Sequence, residues 1–187
     1  NKNILRFKKD ENLANFTIKK ILNIKSIKKI HILTDSNNYK KKIIKHPKVE
    51  INFNRPKKLS NDNSKIDDLI KYFINEKKNL NKNLILIQVT SPLLSKKEIK
   101  RTLKFIKKNN ISSLMHVCKC LENPNEVIFN KNKKWRYLIN KRILNRQNYK
   151  NQYYFITGSL FYFNLNFFKK YLKIYNKKSF AYEVDKI

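Results

Sequence analysis

The chain has one glycine, two alanines, four prolines and two cysteines among its 187 residues. So few cysteines exclude a disulfide scaffold. Cys118 and Cys120 are next-but-one neighbours on an expected strand, so both face one side and suit no bridge. A reduced, cytoplasmic setting is the expectation. A metal centre would need more ligands than these thiols and the nearby His116. No apolar run reaches about 18 residues, so no membrane-spanning helix is expected. Nor does an apolar core follow Asn1-Lys2-Asn3-Ile4-Leu5-Arg6, so no signal peptide is expected in these residues. The chain does not open with Met, and the expectation is that it starts inside a longer protein.

Acidic residues are also scarce: 13 stand against 44 basic ones, for a formal charge of +31. Such charge invites a nucleic-acid reading. The composition argues otherwise. The basic residues are nearly all Lys; the six arginines are Arg6, Arg55, Arg101, Arg136, Arg142 and Arg146. Lys, Asn and Ile, which have A/T-rich codons, are abundant, whereas Gly, Ala and Pro, which have G/C-rich codons, are rare. Base bias explains this pattern without a nucleic-acid partner, and the lysines lie on every expected helix rather than in one stripe.

What remains is enough for one folded domain: 41% of residues are hydrophobic and 12% aromatic. Leu84-Ile85-Leu86-Ile87 followed by Gln88-Val89-Thr90 reads as a strand buried on both faces, stopped by Ser91-Pro92. Polar groups at the carboxyl end of such a strand mark where open α/β sheets bind ligands. Helical spacing predicts helices over 13–24, 39–46, 65–76, 95–108 and 167–175. Asn63 or Ser64 is the expected cap of the third, whose core face is Ile66, Leu69, Ile70 and Phe73. Strands are expected over 29–34, 49–53, 111–117 and 153–163, with a hairpin of 126–129 and 135–138. Strands alternating with helices imply βαβ units. The fold class is α/β, a Rossmann-like and mostly parallel sheet. Residues 1–187 form a single domain, with a small β excursion near 120–150.

Six segments, in order, carry a resemblance to a known family. They are Lys2-Asn3-Ile4; Thr34-Asp35-Ser36; Arg55-Pro56 with Leu59, Asp62 and Ser64; Gln88-Val89-Thr90-Ser91-Pro92-Leu93; Arg146-Gln147; and Thr157-Gly158-Ser159. Together they resemble the acylneuraminate cytidylyltransferases, which have the nucleotide-diphospho-sugar transferase fold. The fourth segment is the most specific, and the ordered set is stronger than any member.

The resemblance implies transfer of CMP from CTP to a sialic-acid-like nonulosonic acid, with release of pyrophosphate. It implies Mg²⁺ as cofactor and a homodimer joined through the excursion, with no membrane partner. It places Asn3, Arg55, Asp62 and Ser64 on the nucleotide and Gln88, Arg146, Gln147 and Gly158 on the sugar. Each has a plainer reading: a frayed terminus for Asn3, a loop charge for Arg55, a helix cap for Asp62 and Ser64. Gln88 could be buried against backbone, Arg146 a surface cation, and Gly158 a structural requirement. An arginine at 146 suits a carboxylate, which a guanidinium binds through two parallel hydrogen bonds. Thr90 and Ser91 are expected to shape the turn. Tyr153, Tyr154, Phe155, Phe161 and Phe163 are expected in the core or a dimer surface. Thr157 and Phe161 depart from the family's Asn and Tyr, on the sugar side.

The family's glycine-rich phosphate loop has no counterpart in these residues, and its place would fall before Asn1. Glu183-Val184-Asp185 is a degenerate match to the family's Asp-x-Asp metal pair, which is expected beyond Ile187. No metal ligand or catalytic group is therefore assigned. Another acid sugar, such as Kdo or pseudaminic acid, is the nearest alternative. A non-catalytic RNA- or polyanion-binding module is the more distant one.

Overall fold

The computed structural model describes residues 6–8, 11–51, 53–77, 79–139, 145–149 and 151–185. In chain order these form β1 (Arg6–Lys8), β2 (Glu11–Asn12), α1 (Leu13–Leu22), β3 (Ile30–His31), α2 (Asn37–Lys42) and β4 (Val49–Glu50). There follow α3 (Ile66–Glu76), β5 (Asn83–Ile87), α4 (Lys96–Lys108), β6 (Ser113–Lys119), β7 (Ile128–Lys131) and β8 (Lys134–Tyr137). The last are β9 (Tyr154–Asn164), α5 (Leu165–Tyr171) and β10 (Phe180–Glu183).

The central sheet has the order β10-β6-β9-β5. β10 runs parallel to β6, while β9 runs antiparallel to both β5 and β6. Three strands thus share one direction and β9 opposes them, so the α/β class expected from the sequence holds. A second, parallel pair joins β3 to β4.

Side-chain alternation on the strands builds two cores, one on each face. Leu114, Leu160 and Tyr162 pack with Ala14, Ile18 and Ile21 of α1 and Ile99 and Ile106 of α4. Their neighbours Phe161 and Phe163 turn the other way, onto Ile70 of α3 and Phe167 and Phe168 of α5. β5 follows the same period, with Ile85 and Ile87 against the first core and Leu84 and Leu86 against the second. Both faces are covered as expected. Yet Leu84 to Ile87 are each only half-buried, because β5 is the edge strand of this sheet.

Helix starts follow local chemistry. The side chains of Asn12, Ser36, Ser95 and Asn164 cap α1, α2, α4 and α5, each accepting a backbone N–H three residues on. Such caps contribute about 1 kcal/mol each. α3 corrects an expectation: neither Asn63 nor Ser64 caps it, Lys65 holds the cap position without a side-chain bond, and Ile66 is exposed. Asp67 and Asp68 in its first turn favour the helix dipole instead.

Two helices stop four residues earlier than their periodicity suggests. α2 ends at Lys42 because Asn15 of α1 seizes the chain. Its amide donates to the Lys42 carbonyl at 2.9 Å and its oxygen accepts the Ile44 N–H at 2.9 Å. Ile43 is thereby extended and buried. α5 ends where Leu172 adopts a left-handed conformation, φ 49°. That turn sends Ile174 into the core, and the Asp67 carboxylate accepts its N–H at 3.0 Å.

The hairpin β7–β8 turns through Asn132 and Lys133, both at positive φ (54° and 60°). This is the backbone signature of a tight two-residue hairpin turn. Every residue of both strands is exposed.

Candidate active site

β5 ends at Ile87, and Gln88 emerges from it exposed to solvent. The alternative of a buried glutamine is thereby removed. The Gln88 carbonyl accepts the Ser91 N–H at 3.1 Å, and the Ser91 carbonyl accepts the Leu94 N–H at 3.2 Å. Two successive turns therefore lead the chain from the strand to the cap of α4. Lys20 of α1 fixes them from below. Its ammonium donates to the carbonyls of Pro92 and, at 3.2 Å, Leu94. It also lies 4.1 Å from the centroid of the Phe16 ring, and burial lowers its pKa. Thr90 is exposed and Ser91 half-buried, with the Ser91 backbone shaping the turn.

Opposite Gln88 stands Gly158, at φ 70° within β9. A Cβ at this position would stand 3.5 Å from Gln88 Oε1, and the Gln88 N–H donates to the Ser159 carbonyl at 3.4 Å. The residues flanking Gly158 belong to a buried polar cluster. Thr157 Oγ1 lies 2.8 Å from Ser159 Oγ, which lies 3.2 Å from His116 Nδ1. His116 Nε2 in turn lies 2.9 Å from Thr102 Oγ1. Burial pushes the His116 pKa down to about 4, and the Tyr182 ring stacks on the imidazole at 5.6 Å.

The loop of residues 54–64 is organised by its own side chains. The Arg55 guanidinium donates twice to the Leu59 carbonyl, from Nε at 2.8 Å and from Nη2. It closes the short 3-10 helix Lys57–Leu59. Ser64 Oγ donates to the Lys58 carbonyl or the Asn61 side chain, at 3.1 and 2.8 Å, while Asp62 is exposed. Leu33 packs against two clusters, the one that Leu84 and Leu86 of β5 also cover and the one of Phe53, Leu69 and Phe73 that Leu59 of this loop covers.

Of the residues expected on the sugar, the fold brings Gln88 and Gly158 side by side. Arg146 and Gln147 lie in a short 3-10 helix, Arg146–Asn148, where Gln147 is exposed. The Arg146 side chain and the whole of Asn3 lie outside the described residues. Phe161 lies in the core, one of the two places expected for it: it is buried in the same cluster as Ile70 and stacks on Tyr175 at 5.2 Å, so its departure from the family's Tyr falls in the core and not on the sugar side. Sequence reasoning missed Lys20 and the Thr102–His116–Ser159 set. Their partners lie 14 to 74 residues away in sequence, and no local spacing announces them.

Among the described residues, no group of three or more His, Cys, Asp and Glu side chains converges to hold a metal ion. Glu183 pairs with Lys119 at 3.6 Å, and Asp185 is exposed. The described residues thus do not fit a protein-built Mg²⁺ cage. His116 is committed to Thr102 and Ser159. Cys118 and Cys120 are both unbridged.

No individually curated protein matches the chain by sequence. In structure it is similar to CMP:2-keto-3-deoxy-manno-octonic acid synthetase complexed with CTP, with a TM-score of 0.66 and 10% identity. The match covers 99% of this chain and 83% of that one, and identity this low speaks for the fold alone. A family model described as Cytidylyltransferase matches residues 1–186. The chain belongs to the cytidylyltransferase family.

Proposed function

We propose that this chain transfers CMP from CTP to a sialic-acid-like nonulosonic acid, releasing pyrophosphate. The observation that carries the sugar side is that the exposed Gln88 amide, at the carboxyl end of β5, stands where a side chain at Gly158 would reach it, 3.5 Å from the position of the missing Cβ. A glutamine amide both donates and accepts, so it can read a hydroxyl or a carboxylate. Ligands of open α/β sheets bind at strand carboxyl ends.

In this reading the anomeric hydroxyl of the sugar attacks the α-phosphorus of CTP. A bond forms from that oxygen to phosphorus, and the bond to the oxygen bridging the α- and β-phosphates breaks. Pyrophosphate leaves, and the hydroxyl proton passes to solvent or a base. Positioning supplies much of such a rate enhancement. Gln88, Gly158, Arg146 and Gln147 are assigned to the sugar, with Arg146 as the carboxylate clamp. Asn3 and the loop bearing Arg55, Asp62 and Ser64 are assigned to the nucleotide. Arg55 and Ser64 act there chiefly by holding the loop's shape, which leaves Asp62 as the exposed one of the three. Mg²⁺ belongs to the reading as a counter-ion of the triphosphate, and no step is assigned to it.

The homodimer is also part of the proposal. Trp135 (68% exposed), Phe129, Ile128 and Leu138 put large apolar side chains in water along the hairpin, and Phe155 (64% exposed) does so on β9. Burial of this surface by a second copy would account for them. No helix among the described residues is long and apolar enough to cross a membrane. With CTP as co-substrate and unbridged cysteines, the cytoplasm is the setting proposed.

A second reading keeps the chemistry and changes the sugar to the eight-carbon acid Kdo, which is favoured by the fold neighbour that bears that name. The test is pyrophosphate release by the full-length protein. Each of the four nucleoside triphosphates is offered with sialic, pseudaminic and Kdo-type acids. Turnover with CTP and a nonulosonic acid supports the proposal, and turnover with Kdo alone selects the second reading. No turnover with any pair, together with salt-sensitive RNA binding, would replace both with the polyanion-binding alternative.

A further inference from the structure

β6 and β9 fall out of register at His116. Met115 pairs with Phe161, and two residues later Val117 pairs with Ile156, five residues back along β9. β9 therefore carries three residues more than β6 over this interval. The surplus forms a bulge containing Thr157, Gly158 and Ser159. Bulges re-aim side chains and often sit beside active sites. One edge of this bulge meets Gln88 of β5, and the other meets the fully buried His116 ring.

The hydrogen bonds of that ring admit one continuous order when Thr102 donates to the α4 backbone. Thr102 has one hydroxyl proton, which it donates to the Glu98 carbonyl at 3.0 Å. Its oxygen must then accept from His116 Nε2–H. In the neutral imidazole Nδ1 is left as an acceptor, so Ser159 spends its own proton there. Ser159 Oγ then accepts from Thr157 Oγ1–H at 2.8 Å, a nearer partner for that proton than the His116 carbonyl at 3.3 Å. The order is Thr157 to Ser159 to His116 to Thr102 to Glu98. It ends on the α4 backbone and starts beside Gly158. Ser159 joins the two sides, since its hydroxyl serves His116 while its carbonyl accepts the Gln88 N–H.

We propose that His116 is a positioning residue: as the neutral, Nε2-protonated tautomer it holds the Thr157–Ser159 bulge, and thereby sets where Gln88 presents its amide to the acid sugar. This rests on the sugar-side reading above. It is tested on the full-length protein with a pair of variants. In His116→Asn the amide oxygen stands where Nδ1 stood and can still accept from Ser159. In His116→Gln the terminal amide reaches Thr102, and Ser159 loses its acceptor.

The expected result is a rise of roughly tenfold in KM for the acid sugar in His116→Gln, about the effect of one lost hydrogen bond. His116→Asn should stay within about threefold of the native enzyme by the same measure, and KM for CTP should be unchanged in both. Equal sugar KM in the two variants, or a parallel rise in KM for CTP, would overturn the proposal by making His116 a general packing residue. Two NMR measurements need neither substrate nor folded variants: nitrogen shifts of His116 must show Nε2–H rather than Nδ1–H, and the Gln88 amide must be protected from exchange. An Nδ1–H tautomer or an unprotected Gln88 amide would equally overturn it. If no acid sugar is turned over, the functional reading fails, while these measurements still decide how the bulge is held.

Discussion

Replacing Gly158 with alanine separates two reasons for the residue. Its φ of 70° lies in the left-handed region, and a Cβ there would have Gln88 Oε1 at 3.5 Å and Gln88 Cδ and Nε2 at 3.8 Å. Those are ordinary contact distances, so steric overlap contributes little, and the backbone conformation sets the penalty. An L-residue in that region costs about 1–2 kcal/mol. In a domain of this size the loss lowers Tm by about 2–8 °C. Asparagine visits the same region more readily, so Gly158→Asn should lose about half as much stability. Equilibrium urea unfolding of the native protein and both variants, at one protein concentration, reads the difference. A loss above about 4 kcal/mol for alanine would mean that the bulge cannot accommodate a methyl group and that the contact argument is wrong. Two variants as stable as the native chain would mean that the bulge relaxes away from positive φ.

Two further predictions use other parts of the structure. The His116 pKa is depressed from 6.5 to about 4, so the ring is neutral in folded and unfolded chains above pH 6.5 and adds no pH dependence there. As pH falls from 6.5 to 4 the unfolded chain takes up a proton that the folded one refuses, and stability drops by up to about 3 kcal/mol before levelling off. Urea midpoints of native protein and His116→Asn, compared at neutral pH and near the lower limit, isolate this loss; parallel decline would refute it. At the hairpin, Trp135→Ser with Leu138→Ser should convert a dimer to a monomer by light scattering, with little change in the far-ultraviolet circular dichroism. A native chain that is already monomeric would refute the apolar-surface argument.

The alternating pattern of the helices and strands was legible because it is local. α4 runs as its cap and periodicity require, from Ser95 to the Asn109 boundary. β9 was legible as a strand with Gly158 inside it, yet its bulge was not. The surplus residues are defined only by pairing with β6 and β5, and register is a property of two strands. The same limit applies to α2, which Asn15 cuts short from another helix. Of the candidate site, Gln88 and Gly158 could be named from their segments because a strand end and a lone glycine are local signals. Arg55 was named as well, and its bonding to the Leu59 carbonyl gives it a part in loop geometry that no local pattern announces.

The composition makes the remaining glycine more informative than its conformation alone. Among the described residues, positive φ also occurs at Asn110, Asn132, Lys133 and Leu172, none of them glycine. This chain therefore tolerates asparagine, lysine and leucine in the left-handed region where a turn needs it. Positive φ by itself does not account for glycine at 158. The distinguishing feature of this position is what stands beside it: Gln88 Oε1, Cδ and Nε2 are the three nearest atoms to the missing side chain. A longer side chain on that Cβ would extend into the space that the Gln88 amide uses to meet a ligand. Stability and activity should then part company in Gly158→Asn, with a mild loss in unfolding free energy and a severe loss in turnover of the acid sugar. If instead activity follows stability, Gly158 serves the bulge alone, and the sugar-side assignment of Gln88 loses its main geometric support.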